Sequence, residues 1–491
     1  MVEGKKPPEV FSLLSQDVNG SEIKVQDIEG APLTDSKEFD PFKERDTENA
    51  TSDCQTLIHL LKSTLGSGIM TMPYAFRSVG IVGGILGGFF VAAVCTHTSY
   101  ILIDCAHVLY NRTHKTKMDY ADVTEAAFAT GPKWCRKFSK FARYFVLIWL
   151  FSVCFGACST DNLLIATNYG QVVNYFMKHD SLVIANSSGG PPLINETVAA
   201  ELALPPEESL QRIIMSCLMI PIILFVWVPD LKYLAPISSV ANVFMATVIG
   251  ITGYFLVQNP EPMSNLSLFE PISVTTPQFF SMTIFAMGNI GVIMPLENSM
   301  KTPRNLLGTC GVLNRGMFSI TFVYLLFGVL GYMKYGSAVH TVITTNLPVD
   351  HIAAQVVKVL IGSTVLFTFS LQFYVCRDMF WTRVKKYFPS KPLLAEYIIR
   401  ALLVIACVSV AIALPKIGPL VELLGALGFS VLGILGPVII EVITYWDIGF
   451  GRYNWRLYKN AFILIVGSLF LIFGTYSAII QILQSYFNLS I

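Results

Sequence analysis

Residues 59–73 read HLLKSTLGSGIMTMP. Apolar side chains flank the stretch, Leu57 and Ile58 before it and Ala75 and Phe76 after it. A helix through this region is apolar enough for lipid, yet it holds His59, Lys62, a Gly66-Ser67-Gly68 run and Pro73. Glycine leaves the backbone bare, and proline removes a donor and clashes with the preceding turn. The pattern predicts a spanning helix that is interrupted near its middle.

The composition supports the membrane reading. The chain is 53% apolar and only 14% charged, with a mean hydropathy of +0.57, whereas soluble domains carry about a quarter charged residues. A spanning helix needs about 20 mostly apolar residues. About eleven runs meet that length by the hydropathy criterion: 55–77, 80–108, 138–166, 211–229, 233–257, 277–297, 311–332, 352–380, 396–414, 417–444 and 456–483. Backbone groups cannot stay unpaired in lipid, and no β-barrel alternation is seen, so the fold class is an all-α membrane protein. Residues 1–52 are polar, charged and proline-punctuated, which predicts a disordered cytoplasmic tail ahead of a transmembrane domain over 53–491. No apolar h-region opens the chain, so the first span itself directs insertion.

Several function classes drop out. The net charge is +1, and no basic patch with interleaved aromatics suggests nucleic acid. No HExxH spacing, GxSxG elbow or P-loop occurs, so no enzyme active site, metal ion or cofactor is expected. The ten cysteines form no CxxC pair. Cys154 and Cys158 read as buried helix residues, and none falls in the expected external loops.

Lys and Arg placement sets the orientation. The stretch 112–143, the loop after the sixth span (Lys301, Arg304, Arg315), the end of the eighth (Arg377 to Lys391) and the approach to the eleventh (Arg452, Arg456, Lys459) all fall on one side. That side is the cytoplasm, which puts the N-terminus inside and the C-terminus outside. The sequons at Asn186, Asn195 and Asn265 then lie in external loops 170–210 and 258–276 and are candidate glycosylation sites. The same triplet at Asn19, Asn49 and Asn111 would be internal.

A second interruption gives the first its meaning. Residues 283–303 read TIFAMGNIGVIMPLENSMKTP, with Gly288 and Gly291 followed by Pro295. The breaks fall in the first and sixth spans, the spacing expected of two five-helix units in an inverted repeat. In transporters built this way, broken helices meet near the midplane, half-helix N-termini face anionic groups and freed carbonyls face cations. An α-amino acid fits. Its carboxylate would meet the amides around Thr64, Gly66, Ser67 and Gly68, and its ammonium the carbonyls around Gly288, Asn289 and Gly291. Phe285 and Tyr374 are candidates to close the site with a ring. The glycine stripes Gly83/Gly87, Gly84/Gly88 and Gly425/Gly433 read as packing surfaces.

HLLKSTLGSGIMTMPYAF (59–76) resembles the first helix of the proton-coupled amino acid transporter family, within the amino acid/auxin permease superfamily. GVIMPLENSMKTP (291–303), LFTFSLQFYV (366–375) and LGPVIIEVITYW (435–446) resemble its sixth, eighth and tenth helices. The resemblance spans nearly all of the chain except the tail. It implies eleven helices, a LeuT-like 5+5 inverted repeat, transport of small neutral amino acids and, in many members, symport of protons. The position of His59 matches the family's proton-coupling histidine. One departure stands out. Many members read Phe-Glu-Gly-Ile-Gly at the sixth-helix break, and here Gly288 takes the place of the acid.

Other intramembrane charges need a reason, because a charge at the bilayer centre costs about 2.5–3.5 kcal/mol on insertion scales. Lys62 lies one turn before Gly66, where it either occupies the place of a coupling cation, pairs with a gate acid or snorkels. Asp161 and Glu422 lie within spans. Glu297 and Glu441 lie near cytoplasmic ends, where interfacial solvation suffices, and Glu297 is also a gating candidate. Competing readings are a facilitative proton-independent carrier, a sodium-coupled relative, a channel and a nutrient-sensing membrane protein. No ring of charges or filter repeat favours the channel. The expected location is the plasma membrane. The acidic dileucine pattern Glu9 to Leu14 makes the lysosomal or endosomal membrane the alternative.

The topology has a direct test. Enzymatic deglycosylation is expected to shift the mass of the wild type but not of a chain lacking Asn186 and Asn195. Protease added outside is expected to leave residues 111–140 intact, and cleavage there would reverse the orientation.

Overall fold

The computed structural model describes residues 39–45, 50–187, 207–228, 231–273 and 275–487. Among them regular structure is helical, apart from a parallel bridge between Thr51 and Met300. Ten helical stretches are long and apolar enough to cross a membrane. The eleventh span is the first, which is split into α1 (Asp53–Thr64) and α2 (Gly68–Arg77), neither long enough alone. The remaining helices follow as α3 (Gly80–Thr113), α4 (Tyr120–Thr130), α5 (Lys133–Arg136), α6 (Ser139–Ser187), α7 (Glu207–Val226) and α8 (Leu231–Val257). The sixth span is again split, into α9 (Thr276–Met287) and α10 (Ile290–Ser299). Then come α11 (Val312–Tyr335), α12 (Ile352–Val384), α13 (Pro392–Ala413), α14 (Ile417–Leu423), α15 (Gly436–Thr444) and α16 (Trp455–Phe487).

The expected spans agree with these bounds within a few residues, with one correction. Loop 170–210 is not a loop at its start, because α6 runs on to Ser187. Hydropathy marks where the apolar run stops, whereas the helix continues as long as its backbone bonds and packing hold. Asn168 accepts from Thr344 Oγ1 at 2.7 Å, and Gln171 donates to the Thr345 carbonyl at 3.4 Å, tying the extension to the segment before α12. Asn195 lies outside the described residues, as does the side chain of Asn186. Asn265 is exposed in a 3₁₀ turn, Met263–Asn265. Of the tail, 1–38 and 46–49 lie outside the described residues.

The broken spans sit at the centre. The sixth span is 67% buried, against 22% for the third, which fits a helix wrapped by others rather than by lipid. Glycine positions make the approach possible. The Phe76 ring of α2 fills the space where a Cβ of Gly84 in α3 or of Gly328 in α11 would stand. Phe279 of α9 meets the same ring edge-on at 6.0 Å. Between α14 and α15 the tenth span is π-helical over Leu424–Leu435. There the bare backbone of Gly425 touches the Ser281 carbonyl of α9. The stripe read from the sequence holds along this run, because Gly425 and Gly433 both face the sixth span, at Ser281 and Ile290. Gly428 faces Val153, while Phe429 lies on Gly288.

Candidate substrate site at the two helix breaks

The first break is open backbone. α1 ends with Leu65 N–H bonded to the Leu61 carbonyl at 2.8 Å, and α2 starts again at Gly68. Among the described residues, the Ser67 and Gly68 amides meet no backbone carbonyl. They belong to the N-terminus of α2, where orphan amides and the helix dipole favour an anion. A Cβ on Gly66 would find nothing within 4 Å, so this residue faces free space. A Cβ on Gly68 would stand 2.9 Å from Ala286 Cα, so this glycine lets α2 touch α9. Thr64 is buried, and its hydroxyl has no partner. Its carbonyl accepts from Tyr324 Oη of α11 at 2.6 Å, which fixes the end of α1. Tyr324 has no sequence signature. It is one tyrosine in an apolar helix.

The second break is built from extended backbone at Gly288 (φ −70°, ψ 104°) followed by Asn289. The carbonyl end of α9 points out of the helix here, carrying partial negative charge. Downstream, Gly291 lacks the donor four residues on, because residue 295 is proline. The Asn289 side chain is committed elsewhere. Its Oδ1 accepts from Ser99 of α3 at 2.8 Å, and its Nδ2 donates to Met317 Sδ of α11 at 3.1 Å. Phe429 of the π-helical stretch covers Gly288 and meets Phe285 edge-on at 5.8 Å. Phe285 thus stands beside the break, with Phe429 as a second ring there. Gly291 faces Leu150 at ordinary contact distance. Tyr374 lies on α12 with its ring 5.1 Å from the Arg377 guanidinium.

His59 is half-buried on α1 and makes no hydrogen bond among the described residues, while Lys62 is exposed on the same helix. Glu297 departs most from the sequence reading. Interfacial solvation does not account for it, because it is fully buried. Arg45 Nη2 donates to both its oxygens, at 2.9 and 3.2 Å. Tyr110 Oη donates to Oε2 at 2.8 Å, and His107 Nε2 lies 3.0 Å from Oε1. The partner of Glu297 is therefore Arg45, a residue of the tail, and not Lys62.

Residues 39–45 and 50–53 form a strap across the ends of α3 and α10. Thr51 N–H donates to the Ser299 carbonyl at 2.8 Å, and Lys301 N–H donates back to the Thr51 carbonyl at 2.9 Å. Asp53 accepts from Thr302 and Asn305 at 2.7 and 2.8 Å. Phe42 stands edge-on to His107 at 4.9 Å, and the Arg45 guanidinium lies 5.2 Å from the Tyr110 ring centroid. Arg45→Ala strands a buried carboxylate and is expected to cost about 3–5 kcal/mol of stability. Adding Glu297→Gln should recover part of that loss. Denaturation in detergent reads both effects, and an unshifted Arg45→Ala midpoint would contradict the pairing.

Residues 49–480 match the family described as transmembrane amino acid transporter protein. The proton-coupled amino acid transporter-like protein pathetic of Drosophila melanogaster is 46% identical over 451 residues, covering 92% of this chain and 89% of that protein. The probable amino acid transporter skat-1 of Caenorhabditis elegans is 24% identical over 443 residues, covering 88% and 90%. Among solved structures, MhsT in complex with L-phenylalanine aligns over 89% of this chain and 98% of that one, at 13% identity and a TM-score of 0.47.

Proposed function

Since the chain belongs to the transmembrane amino acid transporter family and is a multi-pass amino acid transporter, we propose that it carries small neutral amino acids, bound between the two helix breaks, by symport with protons. The observation that supports this most is the contact of Gly68 with Ala286, which brings the free amides at Ser67 and Gly68 close to the carbonyl end of α9. A zwitterion satisfies both ends at once. The carboxylate takes the amides and the ammonium takes the carbonyls, and both bonds are strong in a dry site. The Thr64 hydroxyl is a further donor within the same break. Phe285 and Phe429 leave little room at the second break, which favours small side chains. No ionised side chain stands in the breaks, since Gly288 takes the place of an acid and Asn289 is engaged by α3 and α11, which favours neutral ones.

The proton reading rests on His59. It lies seven residues before Gly66, roughly 10 Å along the helix, and its ordinary pKa of about 6.5 suits proton gradients. A facilitative carrier is the second reading, favoured by the missing acid at Gly288. The Lys/Arg distribution supports a cytoplasmic N-terminus and an external C-terminus. We place the protein in the plasma membrane, with the lysosomal membrane as the alternative that Glu9 to Leu14 suggests. The strap supports a role for Glu297 in closing the inner side.

The test is reconstitution in liposomes, with a labelled amino acid panel at acid and neutral outside pH, with and without sodium. Saturable uptake of glycine, alanine or proline that rises with outside acid, carries inward current and ignores sodium is expected. His59→Ala should lose the acid stimulation. Gly66→Leu should abolish binding in a folded protein, because a leucine there fills free space rather than a packed contact. Gly68→Leu is the poorer probe, since it pushes on Ala286. Uptake without current or pH dependence would favour the facilitative carrier, and normal uptake by Gly66→Leu would remove the breaks as the site.

A further inference from the structure

Glu422 of α14 is fully buried. Its Oε2 accepts from Gln481 Nε2 of α16 at 2.7 Å, and its Oε1 has no partner. No lysine, arginine or histidine forms an ion pair with it among the described residues, in contrast to Glu297, Glu396 and Glu441. A buried carboxylate without a counter-ion is costly, while a carboxylic acid in the same place is not. The position is therefore suited to a group that takes up a proton and unsuited to a structural ion pair.

The carboxyl is also wired. Gln481 Oε1 accepts from Gln278 of α9 at 3.4 Å, and Gln278 Oε1 accepts from Ser78, just beyond α2, also at 3.4 Å. Gln481 lines a cavity of about 450 Å³ together with Tyr74, His340 and Lys416. The carboxyl thus reaches the cavity through Gln481, α9 through Gln481 and Gln278, and the end of α2 through Ser78 beyond them. Three residues on from Glu422, the backbone of Gly425 touches Ser281 of α9. The other elements packed on α14 add few ionisable groups. α9 and the π-helical stretch carry none, α6 brings Asp161 and Tyr169, and α16 brings the exposed Tyr476.

We propose that Glu422 is the group that loads the transported proton from the cavity side, so that α2 and α9 close over a neutral acid and not over a carboxylate. Water in the cavity stabilises the charged form through Gln481. Closure removes that water, and the proton goes in with the substrate. His59, on α1 at the far side of the break, is then placed to take part in release. This rests on the proton symport proposed above.

The test uses the full chain in liposomes with an inward pH gradient, reading amino-acid-evoked current and acid-stimulated uptake, with substrate counterflow at equal pH as the control. Glu422→Gln is expected to lose the current and the acid stimulation while keeping counterflow. Glu422→Asp, which keeps an acid on a shorter arm, should keep the current with a shifted pH profile. Current in Glu422→Gln equal to wild type would overturn the inference and leave symport standing. A wild type without current would overturn symport and this inference together. Loss of acid stimulation in Asp161→Asn alone would move the proton site to α6 and overturn the inference as well. Should Glu422→Gln fail to fold, an unchanged pH profile in Glu422→Asp would be the overturning result.

Discussion

Backbone amides and carbonyls inside a membrane have to be paired within the protein or by something the protein holds. The first and sixth spans both break that pairing, at Gly66 to Gly68 and at Gly288 to Asn289. Much of the surrounding structure is explained by what those breaks need. The sixth span is the most buried of the ten membrane-length helices among the described residues. Tyr324 ties off one freed carbonyl, and Ser99 and Met317 hold the turn at Asn289. Among the described residues the Ser67 and Gly68 amides keep no backbone partner, the Asn289 carbonyl is taken by the amides of Val292 and Ile293, and the carbonyl end of α9 faces the free amides, a pattern a zwitterion completes.

The two ends of the bundle are held differently. On the side of the strap, Arg45, His107 and Tyr110 close around Glu297, and main-chain bonds from Thr51 fasten the tail to the end of α10. A dry ion pair of this kind is weak as a source of net stability but costly to break halfway, because one charge is then left alone. On the opposite side, the links between α9, α16 and the end of α2 are neutral and long. Gln278, Gln481 and Ser78 meet at 3.4 Å, and a water-accessible cavity lies next to them. The firmly paired end and the loosely bonded end are joined through α9, α10 and the glycine contacts at Gly68 and Gly425.

The sequence made the spans and the breaks legible, because both depend on local composition. Long apolar runs locate the helices, and Gly with Pro locates the interruptions. The ends of helices were less legible. α6 continues past its apolar run because Asn168 and Gln171 find partners near α12. Tertiary pairing was hidden. Arg45 looks like one charge in a polar tail, Tyr324 and Phe429 look like ordinary apolar-helix residues, and Glu297 looks like an interfacial acid. Each takes its role from a residue far away in the chain, and a single sequence carries no sign of such pairs. The π-helical run also escaped, since its glycines fit an α-helical stripe equally well.

The central claim is that the unpaired backbone at the two breaks is the amino acid site. The most direct measurement is an experimental structure with a bound small neutral amino acid. The account predicts the carboxylate within about 2.7–3.2 Å of the Ser67 and Gly68 amides, with the ammonium at the carbonyl end of α9. An amino acid bound instead in the cavity of Tyr74, His340 and Lys416, with the breaks paired by protein alone, would contradict it.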